Sequence, residues 1–207
     1  MTRAPAGPDA FYPIVPDLAW LCRLVPLGVK TTQLRLKDAA ADVIAREIGE
    51  SLAVCARHGC QLIVNDHWRE AIAAGADYVH LGQEDLAAAD VALIEARGMR
   101  LGISTHSHEE LATALAAKPN YVALGPIYET KLKVMRWGPQ GTKRIADWKA
   151  RIGPLPLVAI GGITPERADG VLAAGADSVA VITDFLTHAD PEARIRDWLA
   201  WAERCRA

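Results

Sequence analysis

The sequence predicts a single-domain α/β protein of the (β/α)8 barrel class, and two observations lead to this prediction. Eight short apolar segments recur along the 207 residues, and stretches with helical signals separate them. Most of these segments are continuous apolar runs that do not strictly alternate, which is typical of parallel strands buried on both faces. The alternation of predicted strands with helical segments along the chain fits a small barrel. A doubly wound open sheet is the alternative, and the absence of a GxGxxG motif counts against it.

Each predicted strand is short and bounded by turn or helix signals. The predicted strands are 11–16, 31–37, 62–66, 78–82, 100–105, 121–126, 157–162 and 178–183. Between them, residues 39–58 place an apolar stripe on one helical face, ending at Gly59 as a C-terminal cap. Thr164-Pro165 and Asp190-Pro191 each combine an N-cap residue with proline at the first helical position, which predicts two further helices.

Composition and charge argue against several classes of protein. A net charge of −2 and a pI near 6.3 predict no surface for nucleic acid or anionic lipid. The longest apolar runs are far shorter than the ~20 residues that cross a bilayer, so no membrane span is expected. Residues 1–10 have no apolar segment typical of a signal peptide, and we expect a flexible tail before one catalytic domain at 11–207.

The cysteines indicate the redox state of the cellular compartment. The four cysteines form no CxxC pair and no Cys/His cluster with metal-ligand spacing. Scattered thiols suit a reducing cytoplasm, which is the location we predict. The sequence leaves open whether the chain assembles as a homo-oligomer.

Polar residues occupy the carboxyl ends of the predicted strands, where the chemistry of such barrels lies. In QLRLK the side chains alternate, so Gln33, Arg35 and Lys37 share one face, which would be the barrel lumen. Two cations and an amide in a lumen are costly without an anionic partner. We therefore predict an anionic ligand there. The alternative is an edge strand with a solvated face.

Two acidic residues follow neighbouring predicted strands. The third strand ends on Asn65 and Asp66, and Asp85 lies just beyond the fourth. Adjacent strands lie ~4.8 Å apart, so the carboxylates can converge. They would repel each other unless a divalent cation joins them, and Mg2+ takes one or two carboxylates together with phosphate oxygens. We predict a Mg2+-diphosphate site. The alternative is that Asp66 caps the next helix and Asp85 opens a turn.

A second anion site is predicted after the last two strands. In AIGGIT and VIT, the backbone N–H groups of Gly161, Gly162, Ile182 and Thr183 can approach a phosphate closely. A reaction that joins a phosphorylated acceptor to a diphosphate-activated donor would use both sites.

The loop after the sixth predicted strand is long and basic. It reads GPIYETKLKVMRWGPQG and carries Lys131, Lys133 and Arg136. A loop of this kind is typical of a mobile lid over an anionic substrate. The alternative is a solvated charged loop.

Taken together, these motifs resemble one family, the thiamine-phosphate synthases. In order they are QLRLK, IVND, VHLGQED, GISTH, LGPIYETKLK, AIGGI and VIT, and they span residues 33–183. The resemblance implies a Mg2+-dependent barrel enzyme. Its substrates would be 4-amino-5-hydroxymethyl-2-methylpyrimidine diphosphate and 4-methyl-5-(2-phosphoethyl)thiazole, giving thiamine phosphate and pyrophosphate. It also implies a dissociative step. Pyrophosphate departs from the pyrimidine substrate, and the thiazole nitrogen captures the methylene cation that forms.

The resemblance also implies a role for individual residues. Asp66 and Asp85 correspond to the Mg2+ ligands. The residues that correspond to catalytic contacts with the diphosphate are Arg35, Lys37, Ser104 and Lys133. The residues that correspond to other substrate contacts are Gln33, Asn65, His80 and Thr130, with Gly162, Ile182 and Thr183 around the thiazole phosphate.

One position departs from the pattern of the family. The T-x-T-K loop reads Thr130-Lys131-Leu132-Lys133, so a leucine replaces the second threonine. A lost hydrogen bond to a charged leaving group costs about 1.5–3 kcal/mol, which would slow the enzyme without abolishing turnover. Lys131 is a candidate to compensate for the missing hydroxyl.

Two other functions remain as alternatives. A thiazole tautomerase is a metal-free isomerase on the same scaffold that uses a histidine at the position of His106. The retained Asp66, Asp85 and Arg35 favour the synthase, because an isomerase that handles a monophosphate needs no Mg2+ site. The second alternative is a catalytically weakened barrel that binds thiamine-pathway phosphates, and Leu132 is its support.

Overall fold

The computed structural model describes residues 7–130 and 137–206, and within them eight parallel strands close into a barrel in chain order. The strands are β1 (Phe11–Val15), β2 (Thr31–Leu34), β3 (Gln61–Asn65), β4 (Tyr78–Leu81), β5 (Arg100–Thr105), β6 (Tyr121–Leu124), β7 (Leu157–Ile160) and β8 (Ser178–Val181). Since β8 pairs with β1, the barrel has no free edge. The predicted (β/α)8 fold is confirmed, and both the open sheet and the solvated edge strand are wrong.

Helices surround the barrel in the part of the chain that the structure describes. They are α1 (Leu18–Leu24), α2 (Ala41–His58), α3 (Trp68–Ala74), α4 (Gln83–Ala88), α5 (Val91–Ala96), α6 (His108–Ala116), α7 (Gly141–Ile152), α8 (Pro165–Ala173), α9 (Thr183–Leu186) and α10 (Pro191–Arg206). Two short helices, α4 and α5, lie between β4 and β5. None of the described helices is long and apolar enough to cross a bilayer.

The helix signals in the sequence act where they were expected. Gly59 ends α2 with φ 63°, and the next amide, of Cys60, donates to the Cys55 carbonyl at 2.9 Å. Thr164 precedes Pro165 at the start of α8. The Asp190 carboxylate accepts a hydrogen bond from the Ala193 amide at 2.9 Å, and so caps α10.

The apolar core has two layers because both faces of every strand are buried. Side chains such as Phe11 and Val15 point outward and pack under the helices, and Phe11 stacks on Trp198 with centroids 5.2 Å apart. The alternate positions point into the lumen. The buried aliphatic and aromatic residues of the lumen are Tyr12, Ile14, Ile63, Tyr78, Tyr121, Ala123, Val158 and Ala180. This period of two decides which side chains of each strand can reach the centre of the barrel.

Strand β2 is shorter than predicted, and this changes the position of one lysine. The Arg35 amide still donates to the Val15 carbonyl at 2.9 Å, but β1 ends there and offers no further partner. Gln33 and Arg35 line the lumen as expected. The Lys37 side chain is 51% exposed at the rim. The expectation that Lys37 points into the lumen was therefore wrong.

The residues just before β1 are held against the barrel. The Asp9 amide donates to the Thr31 hydroxyl at 3.1 Å, and the Asp9 carbonyl accepts from the Ser178 hydroxyl at 2.6 Å. The Asp9 carboxylate pairs with Arg206 at 2.6 Å. These bonds join the start of the barrel to α10. The boundary predicted at residue 11 stays a prediction.

Candidate functional site

A cavity of about 410 Å3, part of it open to solvent, lies at the mouth of the lumen where the strands end. One side of it is polar and brings together Tyr12 and five predicted site residues, from five strands or their ends. The polar lining comprises Tyr12, Gln33, Arg35, Asn65, His80 and Ser104. The remaining lining is apolar: Ile14, Ala123, Val158, Ile160, Ala180 and Ile182. The cavity can therefore accommodate a ligand with one charged and one hydrophobic part.

Arg35 is the charged group of this lining. It is half-buried, and none of the ion pairs or hydrogen bonds found in the described part of the chain satisfies its guanidinium. A partly buried guanidinium without a carboxylate partner is costly, so a bound anion would stabilise it. This arrangement agrees with the predicted anionic ligand.

Along the polar lining of the cavity, a chain of hydrogen bonds crosses the lumen. Gln33 Nε2 donates to the Tyr12 hydroxyl at 2.6 Å, and the Tyr12 and Tyr121 oxygens are 3.0 Å apart. The Tyr121 oxygen lies 2.7 Å from His80 Nδ1, and His80 Nε2 lies 2.8 Å from Ser104 Oγ. Neither tyrosine was among the predicted site residues. Their lumen-facing positions in β1 and β6 are the signal that could have found them, because a buried tyrosine usually has a hydrogen-bond partner.

Burial keeps the titratable groups of this hydrogen-bond chain uncharged. It lowers the pKa of His80 to about 4; the charge of Asp66 opposes this shift and that of Arg35 adds to it. The His80 ring is therefore neutral at neutral pH. Burial also raises the pKa values of Tyr12 and Tyr121 well above the ordinary range, so both hydroxyls keep their hydrogens.

Asp66 directly follows β3 and adopts the left-handed conformation, with φ 62°. Its amide donates to the His80 carbonyl at 2.9 Å. Its carboxylate accepts hydrogen bonds from the Asn65 amide group and, at 3.3 Å, from the Lys37 ammonium group. It does not cap the next helix, since His67 is the N-cap residue of α3. The helix-cap alternative for Asp66 is therefore wrong.

Asp66 and Asp85 lie together, as predicted, but beside the lumen cavity rather than inside it. Both line a second, polar depression that is open to solvent, and Asp85 lies in the first turn of α4 rather than in a free turn. Burial and then the charge of Asp66 raise the pKa of Asp85, and a hydrogen bond between the two carboxyls adds to the shift. When both groups are ionised they repel each other, and a cation between them would remove that cost.

The donor set fits a magnesium ion that shares its coordination with a substrate. Among the residues the structure describes, no group of three or more His, Cys, Asp or Glu side chains could hold a metal. A protein cage for Zn2+ or Ca2+ would need more ligands. Mg2+ is commonly bound by one or two carboxylates together with phosphate oxygens and water, which Asp66 and Asp85 could supply in part.

The two glycines after β7 make a close approach to the loop after β6. Gly161 and Gly162 have φ values of 103° and 63°. A Cβ at Gly162 would overlap the carbonyl oxygen of Glu129 and crowd Tyr128. The Gly162 carbonyl accepts from Arg167 at 2.7 Å. The adjacent Ile182 lines the lumen cavity, and Thr183 begins α9.

Gly162→Ala is expected to destabilise the fold because alanine has no room and is strained at this φ. The expected loss is about 1–3 kcal/mol in the free energy of unfolding, measured by denaturant titration. Gly170→Ala is the matched control: this glycine lies in α8 with open space around its Cβ position, so the alanine is expected to be neutral or stabilising. Equal stability of the Gly162→Ala variant and the parent would contradict the steric argument.

Some predicted site residues are not placed in either cavity. Thr130 is half-buried and is the last residue described before the gap at 131–136. Lys133 and Leu132 lie outside the described residues, so the predictions for them stay predictions.

His106, the residue that the tautomerase alternative needs, does not line the lumen cavity. Its Nδ1 lies 2.8 Å from a Glu110 carboxylate oxygen, and its ring stacks on Trp137 with centroids 6.2 Å apart. The partner of this ring nitrogen is thus the Glu110 carboxylate.

The comparisons with known proteins agree with this geometry. A family model described as thiamine monophosphate synthase matches residues 11–185, a segment that contains both cavities. A thiamine-phosphate synthase of Rhizobium etli is 60% identical over 192 residues, which cover 93% of this chain and 94% of that protein. A thiamine-phosphate synthase of Neisseria meningitidis serogroup A is 46% identical over 194 residues, covering 94% and 95% of the two chains.

One solved structure is similar in both fold and sequence. The thiamine phosphate pyrophosphorylase of Pyrococcus furiosus superposes with a TM-score of 0.78 at 26% identity, and the match covers 94% of this chain and 95% of that one.

Proposed function

Since the chain belongs to the thiamine monophosphate synthase family and is a transferase of that type, we propose the reaction that it catalyses. It joins 4-amino-5-hydroxymethyl-2-methylpyrimidine diphosphate to 4-methyl-5-(2-phosphoethyl)thiazole and releases pyrophosphate. The observation that carries this proposal is the half-buried Arg35, which faces the cavity with no carboxylate partner among the described residues, while the acidic pair Asp66 and Asp85 lines the second depression.

The diphosphate would bind at the polar side of the cavity. Arg35 supplies a planar guanidinium that can bind two phosphate oxygens at once. Ser104 and Asn65 are hydrogen-bonding groups of the same lining, and Lys37 reaches the rim beside Asp66. The positive charges match the charge of a leaving pyrophosphate.

Asp66 and Asp85 would hold Mg2+ against the diphosphate. When bound, the ion would neutralise charge on the leaving group and act as a Lewis acid. The raised pKa of Asp85 supports this assignment, because the pair carries an electrostatic cost that a cation would remove.

The thiazole phosphate would lie against the apolar side. Ile160 and Ile182 offer a hydrophobic surface to a flat ring. The N–H groups of Gly162, Ile182 and Thr183 are the proposed contacts of its phosphate. The two substrates would thereby meet in one cavity. The translational and rotational entropy lost in bringing them together would then be part of the binding step and not of the chemical step.

The side chains have little acid–base chemistry to do in the proposed dissociative mechanism. His80 is neutral, and Tyr12 and Tyr121 keep their hydrogens. They orient the reactants and present hydrogen bonds. Departure of the pyrophosphate would be assisted by Arg35 and Ser104.

Pyrophosphate release on mixing both substrates tests the proposal. We expect release with Mg2+ and its loss when EDTA removes the metal. Activity that persists in EDTA would contradict the metal assignment. Release that is absent under every condition, with thiazole isomerisation in its place, would favour the tautomerase, although the position of His106 outside the lumen cavity argues against that function.

The predicted cytoplasmic location is also a proposal. Cys55 and Cys60 are buried as free thiols, and Cys22 and Cys205 are exposed free thiols. Free thiols, two of them exposed, are typical of a reducing compartment. Assembly as a homo-oligomer stays an open prediction.

A further inference from the structure

The hydrogen-bond chain along the polar lining of the cavity, which we call the lumen chain, consists of Gln33, Tyr12, Tyr121, His80 and Ser104. We propose that all its hydrogen bonds are donated in one direction, from the Gln33 amide to the Ser104 hydroxyl, and we call this arrangement the relay. In it Tyr12 and Tyr121 are positioning residues, which hold His80 as the tautomer with its hydrogen on Nε2. This orientation leaves the Ser104 hydrogen for a ligand oxygen, and in that respect the inference rests on the proposed function.

The direction is set at the Gln33 end. The Gln33 NH2 group can only donate, so the Tyr12 oxygen accepts from it. The single hydrogen of the Tyr12 hydroxyl then needs an acceptor. Among the described residues, the bonds of this hydroxyl are those to Gln33 and Tyr121, so the hydrogen goes to the Tyr121 oxygen. The Tyr121 hydrogen is thereby directed to His80 Nδ1, 2.7 Å away.

His80 continues the direction of donation toward Ser104. With Nδ1 accepting the Tyr121 hydrogen, the ring hydrogen of His80 is on Nε2. Nε2 therefore donates to Ser104 Oγ at 2.8 Å. In the described part of the chain, Ser104 Oγ has no second hydrogen bond, so its own hydrogen remains available. A hydroxyl at this point can donate a charge-assisted hydrogen bond to a phosphate oxygen.

The opposite direction would leave the lumen chain unsatisfied. With the hydrogen on His80 Nδ1, Tyr121 would donate to Tyr12, and with the Gln33 amide in its observed orientation the Tyr12 hydrogen would have no acceptor among the described residues. Tyr12 is only 1% exposed, so water could not readily replace that acceptor. Ser104 would also donate to Nε2 and lose its hydrogen for the ligand. The geometry thus favours the direction toward Ser104.

A substrate amino group would reinforce this direction. Gln33 lines the cavity, and its Oε1 makes no hydrogen bond within the residues described. The amino substituent of the proposed pyrimidine substrate could donate to Oε1 without turning the amide. Binding of the correct ring would then hold the Gln33 NH2 group on Tyr12, and the relay would couple ring recognition to the hydroxyl at the diphosphate.

Nitrogen-15 NMR of the full chain labelled at histidine tests the tautomer directly. The His80 signals are identified by their loss in His80→Gln. We expect the neutral ring with its hydrogen on Nε2. A hydrogen on Nδ1 would overturn the proposal. This measurement needs no turnover, so it decides the relay even if the protein fails to release pyrophosphate, which would count against the proposed function instead.

The kinetic test is a double-mutant cycle of Tyr121→Phe and Ser104→Ala. Tyr121→Phe is expected to lower kcat by about 10- to 100-fold, the scale known for partners that orient a site histidine, with KM for the thiazole phosphate unchanged. In the Ser104→Ala background the same change is expected to have no further effect, because the relay acts through Ser104. Independent, multiplicative effects would show a merely structural role and overturn the proposal.

A matched control comes from the same lumen. Tyr78 packs edge-on against the Tyr121 ring with centroids 5.7 Å apart, but its hydroxyl is not part of the lumen chain. Tyr78→Phe is expected to keep both kcat and the His80 tautomer. Should Tyr121→Phe not fold, Tyr12→Phe replaces it in the cycle, with a smaller expected loss of about 2- to 10-fold. An equal loss in Tyr78→Phe would also contradict the relay.

Discussion

Asp85→Asn is expected to abolish most of the Mg2+-dependent turnover while leaving the fold at least as stable as the parent. The variant keeps the size of the side chain but removes one of the two carboxylates in contact. Stabilisation of leaving-group charge by a metal ion is worth several kcal/mol, so we expect kcat/KM for pyrophosphate release to fall by about 100- to 1,000-fold. Binding of the thiazole phosphate is expected to persist.

The stability of this variant follows from the sign of the pKa shift. The folded protein holds the Asp85 proton to a higher pH than the unfolded chain does, so ionisation of Asp85 destabilises the fold as pH rises above the ordinary pKa of an aspartate. Asparagine removes this penalty. In EDTA at pH 7, the melting temperature of the variant is therefore expected to match or exceed that of the parent, and added Mg2+ to have less effect on it.

Asp42→Asn is the matched control for both measurements. Asp42 also lies in the first turn of a helix, α2, but it is exposed and lines neither cavity. It is expected to keep full turnover. If Asp85→Asn retained Mg2+-dependent turnover, or lost thiazole-phosphate binding together with it, the separation into a metal-diphosphate site and a phosphate site would be wrong.

Arg35→Met is expected to weaken both binding and departure of the diphosphate. The methionine keeps much of the apolar volume of the arginine side chain but removes a half-buried charge of the cavity lining. A hydrogen bond to a charged group is worth about 1.5–3 kcal/mol, which corresponds to a loss of about 10- to 150-fold in kcat/KM for the pyrimidine diphosphate. Steady-state kinetics with each substrate varied in turn measure this loss.

The free protein is expected to tolerate this substitution without loss of stability. Arg35 has no ion pair in the described part of the chain, so removing its charge breaks none there. Arg46→Met, at an exposed position of α2, is the control and is expected to leave both kinetics and stability unchanged. A variant at Arg35 with normal kinetics would contradict the proposed anion site.

Most of the fold could be predicted from local pattern. Continuous apolar runs located most of the eight strands, because a strand buried on both faces has few polar positions, and the alternation in QLRLK located β2. A cap such as Asp190 acts through a backbone group next to it in the chain, so its effect is visible in sequence. The end of β2 was placed too late, since strand pairing depends on where β1 ends and not on the alternation in QLRLK.

The site was predicted as a set of residues but not as an arrangement. The positions of Asp66 and Asp85 at the ends of consecutive strands were sufficient to predict their contact. Their location beside the lumen cavity rather than in it was not predictable, because it depends on the left-handed turn at Asp66 and on the packing of α4. Lys37 was placed in the lumen on alternation alone, and the structure puts it at the rim.

The amino-acid sequence by itself determined the barrel, the order of its strands, the family and the chemical types at the strand ends, since these depend on local periodicity and on motifs of contiguous residues. The tertiary structure alone decided which side chains meet across the lumen. Tyr12 and Tyr121 are 109 positions apart in the chain, and closure of the barrel brings their hydroxyls to 3.0 Å. The physical reason is that hydrogen-bond networks in a closed barrel link residues that share a depth in the lumen, whatever their separation in sequence.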